Sequence, residues 1–242
     1  MTAPSEDRFL DGRVRVRQFR DGFRAGLDAV MLAAAVPAGT GDEVLELGAG
    51  SGVASLCLAA RVGGASVTGV EIDPRLAALA NENAAANGMK ARVRFVEADI
   101  FALPRAWRRE FSHVMCNPPF HDAEGRKSPS LRRDASLRDR GTLGLWMDIG
   151  LKRVASGGTF TTIVSSSRLG QVLSHLPDKG VTICPLWPDG RGPAKRVILQ
   201  AKKASRSHMV LLHGLVLHAG DGSYTPAANA VLRGGAALGM KP

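Results

Sequence analysis

Hydrophobic and polar positions fall into short blocks along the chain, and each block predicts an element. From Phe9 to Arg20, Val14, Val16 and Phe19 alternate with Arg13, Arg15, Arg17 and Arg20, which predicts a short strand or hairpin with one charged face. Gly22 to Gly26 predicts a turn. Asp28 is placed to cap a helix running through Val30, Met31, Leu32 and Ala35 to Val36. The run Glu43 to Leu47 predicts a strand that enters Gly48-Ala49-Gly50-Ser51-Gly52, with a helix from Val53 to about Arg61. Ala65 to Val70 predicts a second strand that ends at Glu71. Pro74 opens a helix through Leu76, Leu79, Ala80 and Ala84, and Gly88 is its C-cap. Arg92 to Val96 is a third strand with Asp99 just past its end. Phe111 to Cys116 is a fourth, closed by Asn117-Pro118-Pro119-Phe120.

The second half is less regular. His121 to Arg140 is polar, and too long to be only a connection. Thr142 to Val154 predicts a helix with Leu143, Trp146, Ile149 and Leu151 inward, so that Trp146 reads as core. Gly157-Gly158 leads into a fifth strand, Thr159 to Val164, and Arg168 to Leu176 predicts a helix. Val181 to Leu186 and Arg196 to Ala201 read as a closing antiparallel pair. Met209 to Leu217 adds one more strand and Pro226 to Arg233 a short helix. There are no repeats. The expected organisation is one domain over 1–242, with a hairpin and helix extension at 1–40, a core at 41–203 and a C-terminal extension at 204–242.

Strand, glycine loop and helix open a doubly wound nucleotide fold. The spacing is G-x-G-x-G, which departs from the dinucleotide pattern. An acidic residue ending the second strand, Glu71, can accept both hydroxyls of an adenosyl ribose. The strand ends therefore bring Gly48–Gly52, Glu71, Asp99 and Asn117 to one crevice. At the fourth end, two prolines cannot donate to a sheet ladder, and each holds the residue before it extended. The resulting stiff loop presents the Asn117 amide oxygen, the Pro118 carbonyl and the Phe120 ring. Two acceptors beside a flat ring suit a planar group bearing NH2, as in adenine, cytosine, guanine or a glutamine amide.

Charge adds a partner. The net charge is +10 and the pI about 10.2, which favours a polyanion, nucleic acid above all. No apolar run reaches the roughly 18 residues that span a membrane, and Met1 to Leu10 is polar without an apolar signal core. Cys57, Cys116 and Cys184 lie far apart in apolar surroundings and read as reduced core residues, as in the cytoplasm.

The series Glu46-x-Gly48-x-Gly50-x-Gly52, Glu71, Asp99 and Asn117-Pro118-Pro119-Phe120 resembles the class I S-adenosylmethionine-dependent methyltransferases that modify exocyclic or amide nitrogens. Gly22-Phe23-Arg24-x-Gly26-x-Asp28-Ala29-Val30-Met31-Leu32, with Asn81 and Asn87-Gly88, narrows the resemblance to the bacterial tRNA1(Val) adenine-37 N6-methyltransferase family, from about Phe9 to Lys203. The resemblance implies an α/β fold: a Rossmann-like, seven-stranded mixed sheet in strand order 3-2-1-4-5-7-6, with helices on both faces. It implies S-adenosylmethionine as cofactor, S-adenosylhomocysteine as product, and no metal. Cofactor contacts would come from Glu46, Gly48, Ala49, Gly50, Gly52, Glu71, Ile72, Asp99, Ile100 and Asn117. Catalysis would fall to Asn117, Pro118, Pro119 and Phe120. The implied partner is RNA, tRNA first, with Arg24, Arg126, Lys127, Arg132, Arg133 and Arg138 against its backbone. The expected reaction is methylation of N6 of an unpaired anticodon-loop adenine, by a cytoplasmic monomer that makes no membrane contact. Similar loops serve rRNA guanine-N2 methyltransferases and the glutamine N5-methyltransferases of release factors, which usually carry an N-terminal helical domain that this sequence does not show. A non-enzymatic basic RNA-binding module would leave the Asn117 loop unexplained.

Overall fold

The computed structural model describes residues 4–119 and 140–241. A hairpin of β1 (Ser5–Phe9) and β2 (Val14–Gln18) comes first and leads to α1 (Leu27–Ala35). Then follow β3 (Glu43–Leu47), α2 (Val53–Arg61), β4 (Ser66–Glu71), α3 (Pro74–Ala86), β5 (Val93–Glu97) and β6 (Phe111–Cys116). After the segment not described come α4 (Arg140–Arg153), β7 (Val154–Ser165), α5 (Leu169–Leu173), β8 (Val181–Trp187) and β9 (Arg196–Lys202). Two short strands, β10 (Val210–Leu211) and β11 (Leu215–Val216), and α6 (Pro226–Leu232) complete the chain.

Among the described residues the main sheet has nine strands. Its core path, β5-β4-β3-β6-β7-β9-β8, is the expected order 3-2-1-4-5-7-6. The sheet is wider than expected because β10 and β11 both add in parallel to β8, where the sequence pattern suggests a single strand. β3, β4, β5, β6 and β7 run parallel, and only β9 runs against its neighbours. Leu47 stands opposite both Val70 and Cys116, so β3, β4 and β6 end at one level. One core cluster joins α1, α2, α3, β2 and α6 to one face of the sheet, and another joins α4 and α5 to the opposite face. The three cysteines are free and buried. No helix among the described residues is long and apolar enough to cross a membrane.

Two local expectations are corrected. Asp28 lies inside the first turn of α1, whose N-cap is Gly26, and its carboxylate accepts from Arg196 Nε at 2.9 Å. The fifth strand starts at Val154, before the glycine pair, not after it. Register against β6 shifts between Phe111↔Val154 and His113↔Thr159, so the glycines form a bulge within β7. A Cβ on Gly158 would lie 2.2 Å from the Ser112 carbonyl oxygen, which makes glycine necessary there.

Asparagines of α3 and of its C-cap, Asn87, close the open strand edges. Asn87 accepts from Arg15 N (2.9 Å) and donates to Arg15 O (2.7 Å). Asn83, four residues earlier on the same helix face, does the same for Arg17 at 2.9 and 3.0 Å. Asn81 treats Phe95 of β5 likewise, at 3.0 and 2.8 Å. A side-chain amide carries the donor and acceptor of a peptide group, so it completes a ladder that would otherwise be exposed. Through these bonds the basic hairpin is held against the nucleotide fold.

Candidate active site

The glycine loop leaves β3 with Gly48, Gly50 and Gly52 all at positive φ (69°, 56° and 87°). Its turn is held by Ala49 N to Val70 O (2.9 Å) and Gly52 N to Ala49 O (2.9 Å). At Gly48 space is also restricted: a Cβ would fall 2.6 Å from Cη2 of Trp146. Ser51 is buried between two amides, with its hydroxyl on Gln18 Oε1 (3.0 Å) and its carbonyl accepting from Asn83 Nδ2 (3.0 Å). Gln18 also bonds the Ala25 main chain at 2.9 and 3.0 Å, so residues 19–26 are drawn alongside the loop.

Glu71 ends β4 and is nearly buried. Its two oxygens accept separately from Gly50 N (2.8 Å) and Asp73 N (3.0 Å), tying the glycine loop to the start of α3. Burial raises its pKa, against the pull of these backbone donors. Asp73 caps α3 through Arg75 N at 2.9 Å, with Pro74 at N1. Ile72, between them, is 60 % exposed. Asp99 caps the turn Ile100–Ala102 by accepting from Phe101 N at 2.9 Å, and it leaves Ile100 buried and Phe101 40 % exposed. Two apolar side chains therefore stand open to solvent beside the carboxyl ends of β4 and β5.

At the end of β6 the Asn117 amide oxygen is buried and has no hydrogen-bond partner among the described residues. Such orphans are rare in native proteins and each calls for a partner. Pro118 is buried and Pro119 exposed. Phe120 and the basic residues Arg126, Lys127, Arg132, Arg133 and Arg138 lie outside the described residues. Arg24 is described, and its guanidinium is held within the protein by Asp7, Ser5 Oγ (2.9 Å) and Phe19 O (3.1 Å). Any phosphate at Arg24 would have to compete with Asp7.

Glu46 lies behind the loop, 3 % exposed, with Oε2 accepting from Ser55 N (3.1 Å) and Ser55 Oγ (2.5 Å). Burial, with a smaller push from the Glu71 charge, outweighs these bonds and raises its pKa to about 8. The folded protein thus keeps a proton that the unfolded chain releases above the ordinary glutamate value of 4.5. Between about 4.5 and about 8, this group makes stability fall as pH rises, and the loss levels off above that window. Glu46→Gln should therefore gain on the wild type by on the order of 1 kcal/mol per pH unit across the window. Urea midpoints at pH 5 and pH 8 measure it. Parallel pH profiles in the two proteins would mean that Glu46 is ionised in the fold.

The methyltransferase small domain model matches residues 25–133. A tRNA1(Val) (adenine(37)-N6)-methyltransferase of Shewanella woodyi is 27% identical over 224 residues, which cover 88% of this chain and 92% of that protein. Its counterpart in Shewanella amazonensis is 29% identical over 228 residues, covering 90% and 94%. A solved structure described as a predicted O-methyltransferase, protein Atu636 from Agrobacterium tumefaciens, superposes with a TM-score of 0.73 at 25% identity, covering 87% of this chain and 98% of that one.

Proposed function

We propose that this chain, which belongs to the tRNA1(Val) (adenine(37)-N6)-methyltransferase family and carries its methyltransferase small domain, methylates N6 of an unpaired adenine in a tRNA anticodon loop, with S-adenosylmethionine as methyl donor. The observation that carries this reading is the Asn117 oxygen at the end of β6, beside the glycine loop, which has no partner among the described residues. The cradle fits the cofactor: a glycine turn at positive φ with open space at Gly50, a carboxylate at Glu71, and exposed apolar walls at Ile72 and Phe101. Glu71 would hold the ribose hydroxyls, with Ile72, Asp99 and Ile100 around the adenine ring. Glu46 and Ala49 shape the loop from behind.

When bound, S-adenosylmethionine supplies a methyl group already activated on a sulfonium. The chain must orient the acceptor amine and exclude water. An adenine amine is a poor nucleophile because its lone pair is shared with the ring. Asn117 Oδ1 and the Pro118 carbonyl accept its two hydrogens, which helps the nitrogen leave the ring plane. The amine lone pair would take the methyl group, and the S–C bonding pair would stay with the demethylated product. The same two acceptors face the positive charge that develops on nitrogen. The N6 proton then leaves to solvent, so no dedicated base is assigned. Phe120 would hold the base by stacking, worth about 1–3 kcal/mol.

A base inside a duplex could not reach this loop, so the target is unpaired or flipped. Arg126, Lys127, Arg132, Arg133 and Arg138 would contact phosphates around it. The chain is read as one domain, acting as a cytoplasmic monomer. Nucleoside mass spectrometry of an unmodified tRNA transcript treated with the enzyme tests the reading, with N6-methyladenosine expected in the anticodon loop. Methylguanine in RNA, or methylglutamine in a release factor with RNA untouched, would replace it.

A further inference from the structure

A second orphaned group lies beside the first. Trp146 of α4 is 6 % exposed, and its indole N–H is buried without a hydrogen-bond partner among the described residues. Indole nitrogen is a donor only, so burial leaves it with an unmet demand for an acceptor. Its place is defined from two sides. The benzene edge of the ring sits where a Cβ of Gly48 would be, 2.6 Å from Cη2, and Phe101 meets the ring edge-on at 6.4 Å between centroids. Because Leu47 pairs with Cys116, the next residues, Gly48 and Asn117, leave adjacent parallel strands side by side. Neighbouring strands lie about 4.8 Å apart. An orphan donor thus belongs to the residue that covers Gly48, and an orphan acceptor to Asn117 at the end of the adjacent strand.

We propose that Trp146 reads the target base: its Nε1–H donates to adenine N1 while Asn117 Oδ1 accepts from N6. This rests on the adenine reading above and deepens it. Adenine presents an NH2 donor next to the N1 lone pair, the complement of an acceptor next to a donor. On the Watson–Crick edge of guanine, N2–H2 adjoins N1–H, and the indole N–H would meet another donor. A site with a buried polar group rejects a substrate that leaves that group unpaired far more strongly than it rejects a change of shape. The indole therefore selects adenine over guanine and fixes the ring so that N6 lies against Asn117.

The test is a cycle of enzyme and substrate. Anticodon stem-loops carrying adenine, 1-deazaadenine or 3-deazaadenine at the target position are assayed in single turnover with wild type and Trp146→Phe, at saturating S-adenosylmethionine. Replacing N1 by C–H should slow wild type by about 10- to 100-fold, and replacing N3 should slow it far less. Trp146→Phe should lose a similar factor on adenine and show little further loss on 1-deazaadenine, with S-adenosylhomocysteine affinity kept within about twofold of wild type. If the variant still discriminates between adenine and 1-deazaadenine as wild type does, the indole does not read N1. Loss of product affinity in proportion to rate would place the donor on the cofactor and overturn the proposal. Should the variant not fold, the wild-type comparison decides: equal loss at N1 and N3, or none, rejects it. A wild type inactive on every adenine stem-loop would instead reject the function itself.

Discussion

Asn117→Ala should lower kcat on an unmodified tRNA transcript by about 100- to 1,000-fold, while KM for RNA stays within a few-fold. The amide oxygen is unpartnered among the described residues, so its truncation breaks no bond seen there. What would disappear, on the proposed mechanism, is an acceptor whose interaction strengthens as charge appears on the amine nitrogen. An interaction made mainly in the transition state shows in kcat, whereas one made equally with bound substrate shows in KM. Steady-state kinetics on the transcript, with a thermal melt as control for folding, measures the split. A near-wild-type kcat would make the Asn-Pro-Pro turn a structural stop at the end of β6 and remove the mechanism. Activity on release factor with none on RNA would move the same chemistry to a glutamine amide.

Glu71→Ala should weaken binding of S-adenosylmethionine and its demethylated product by about 100-fold or more. Hydrogen bonds to a charged group contribute about 1.5–3 kcal/mol each, and the ribose would make two. The variant also loses the anchors to Gly50 N and Asp73 N, which hold the glycine loop against the start of α3. Cofactor affinity therefore suffers twice, through the lost acceptor and through a loosened cradle. Glu71→Gln separates the two effects. It keeps one acceptor oxygen but turns an NH2 toward one of the backbone donors, so its loss should be intermediate. Calorimetry with S-adenosylhomocysteine gives all three affinities. An unchanged value in Glu71→Ala would rule out the ribose contact.

The strand ends that carry Asn117 and Glu71 are legible in the sequence because the signals around them are local. A proline cannot donate to a ladder, and a glycine tolerates positive φ, whatever the rest of the chain does. Asn117-Pro118-Pro119 and Gly48, Gly50 and Gly52 accordingly mark strand ends on their own, and a strand, glycine loop and helix fix which side of the sheet those ends share. Alternating apolar positions likewise predict the hairpin, where Val14 and Val16 are buried and Arg15 and Arg17 exposed. The order of the strands is implied by resemblance, not by local pattern.

Other features need the folded chain, because their partners are remote in sequence. Asp28 looks like a helix cap until Arg196, 168 residues away, is seen to take its carboxylate. Arg24 reads as a phosphate ligand, and only the fold shows that a phosphate there would compete with Asp7. The glycine pair in β7 looks like a break, yet the close approach of Ser112 O turns it into a bulge. Neither Asn83 nor the Asn87-Gly88 pair shows in the sequence what it bonds, and both asparagines become the closing edge of β2 through contact with Arg17 and Arg15. Trp146 is buried, as its helical spacing predicts, but burial alone does not show that its ring covers Gly48 or that its N–H lacks a partner among the described residues. Backbone rules and periodicity act over a few residues, and they determined the elements and the ends that bear the candidate site. Hydrogen-bond satisfaction and desolvation depend on every neighbour in space, so the proton on Glu46, the docking of the hairpin and the wall at Trp146 were decided only by tertiary structure.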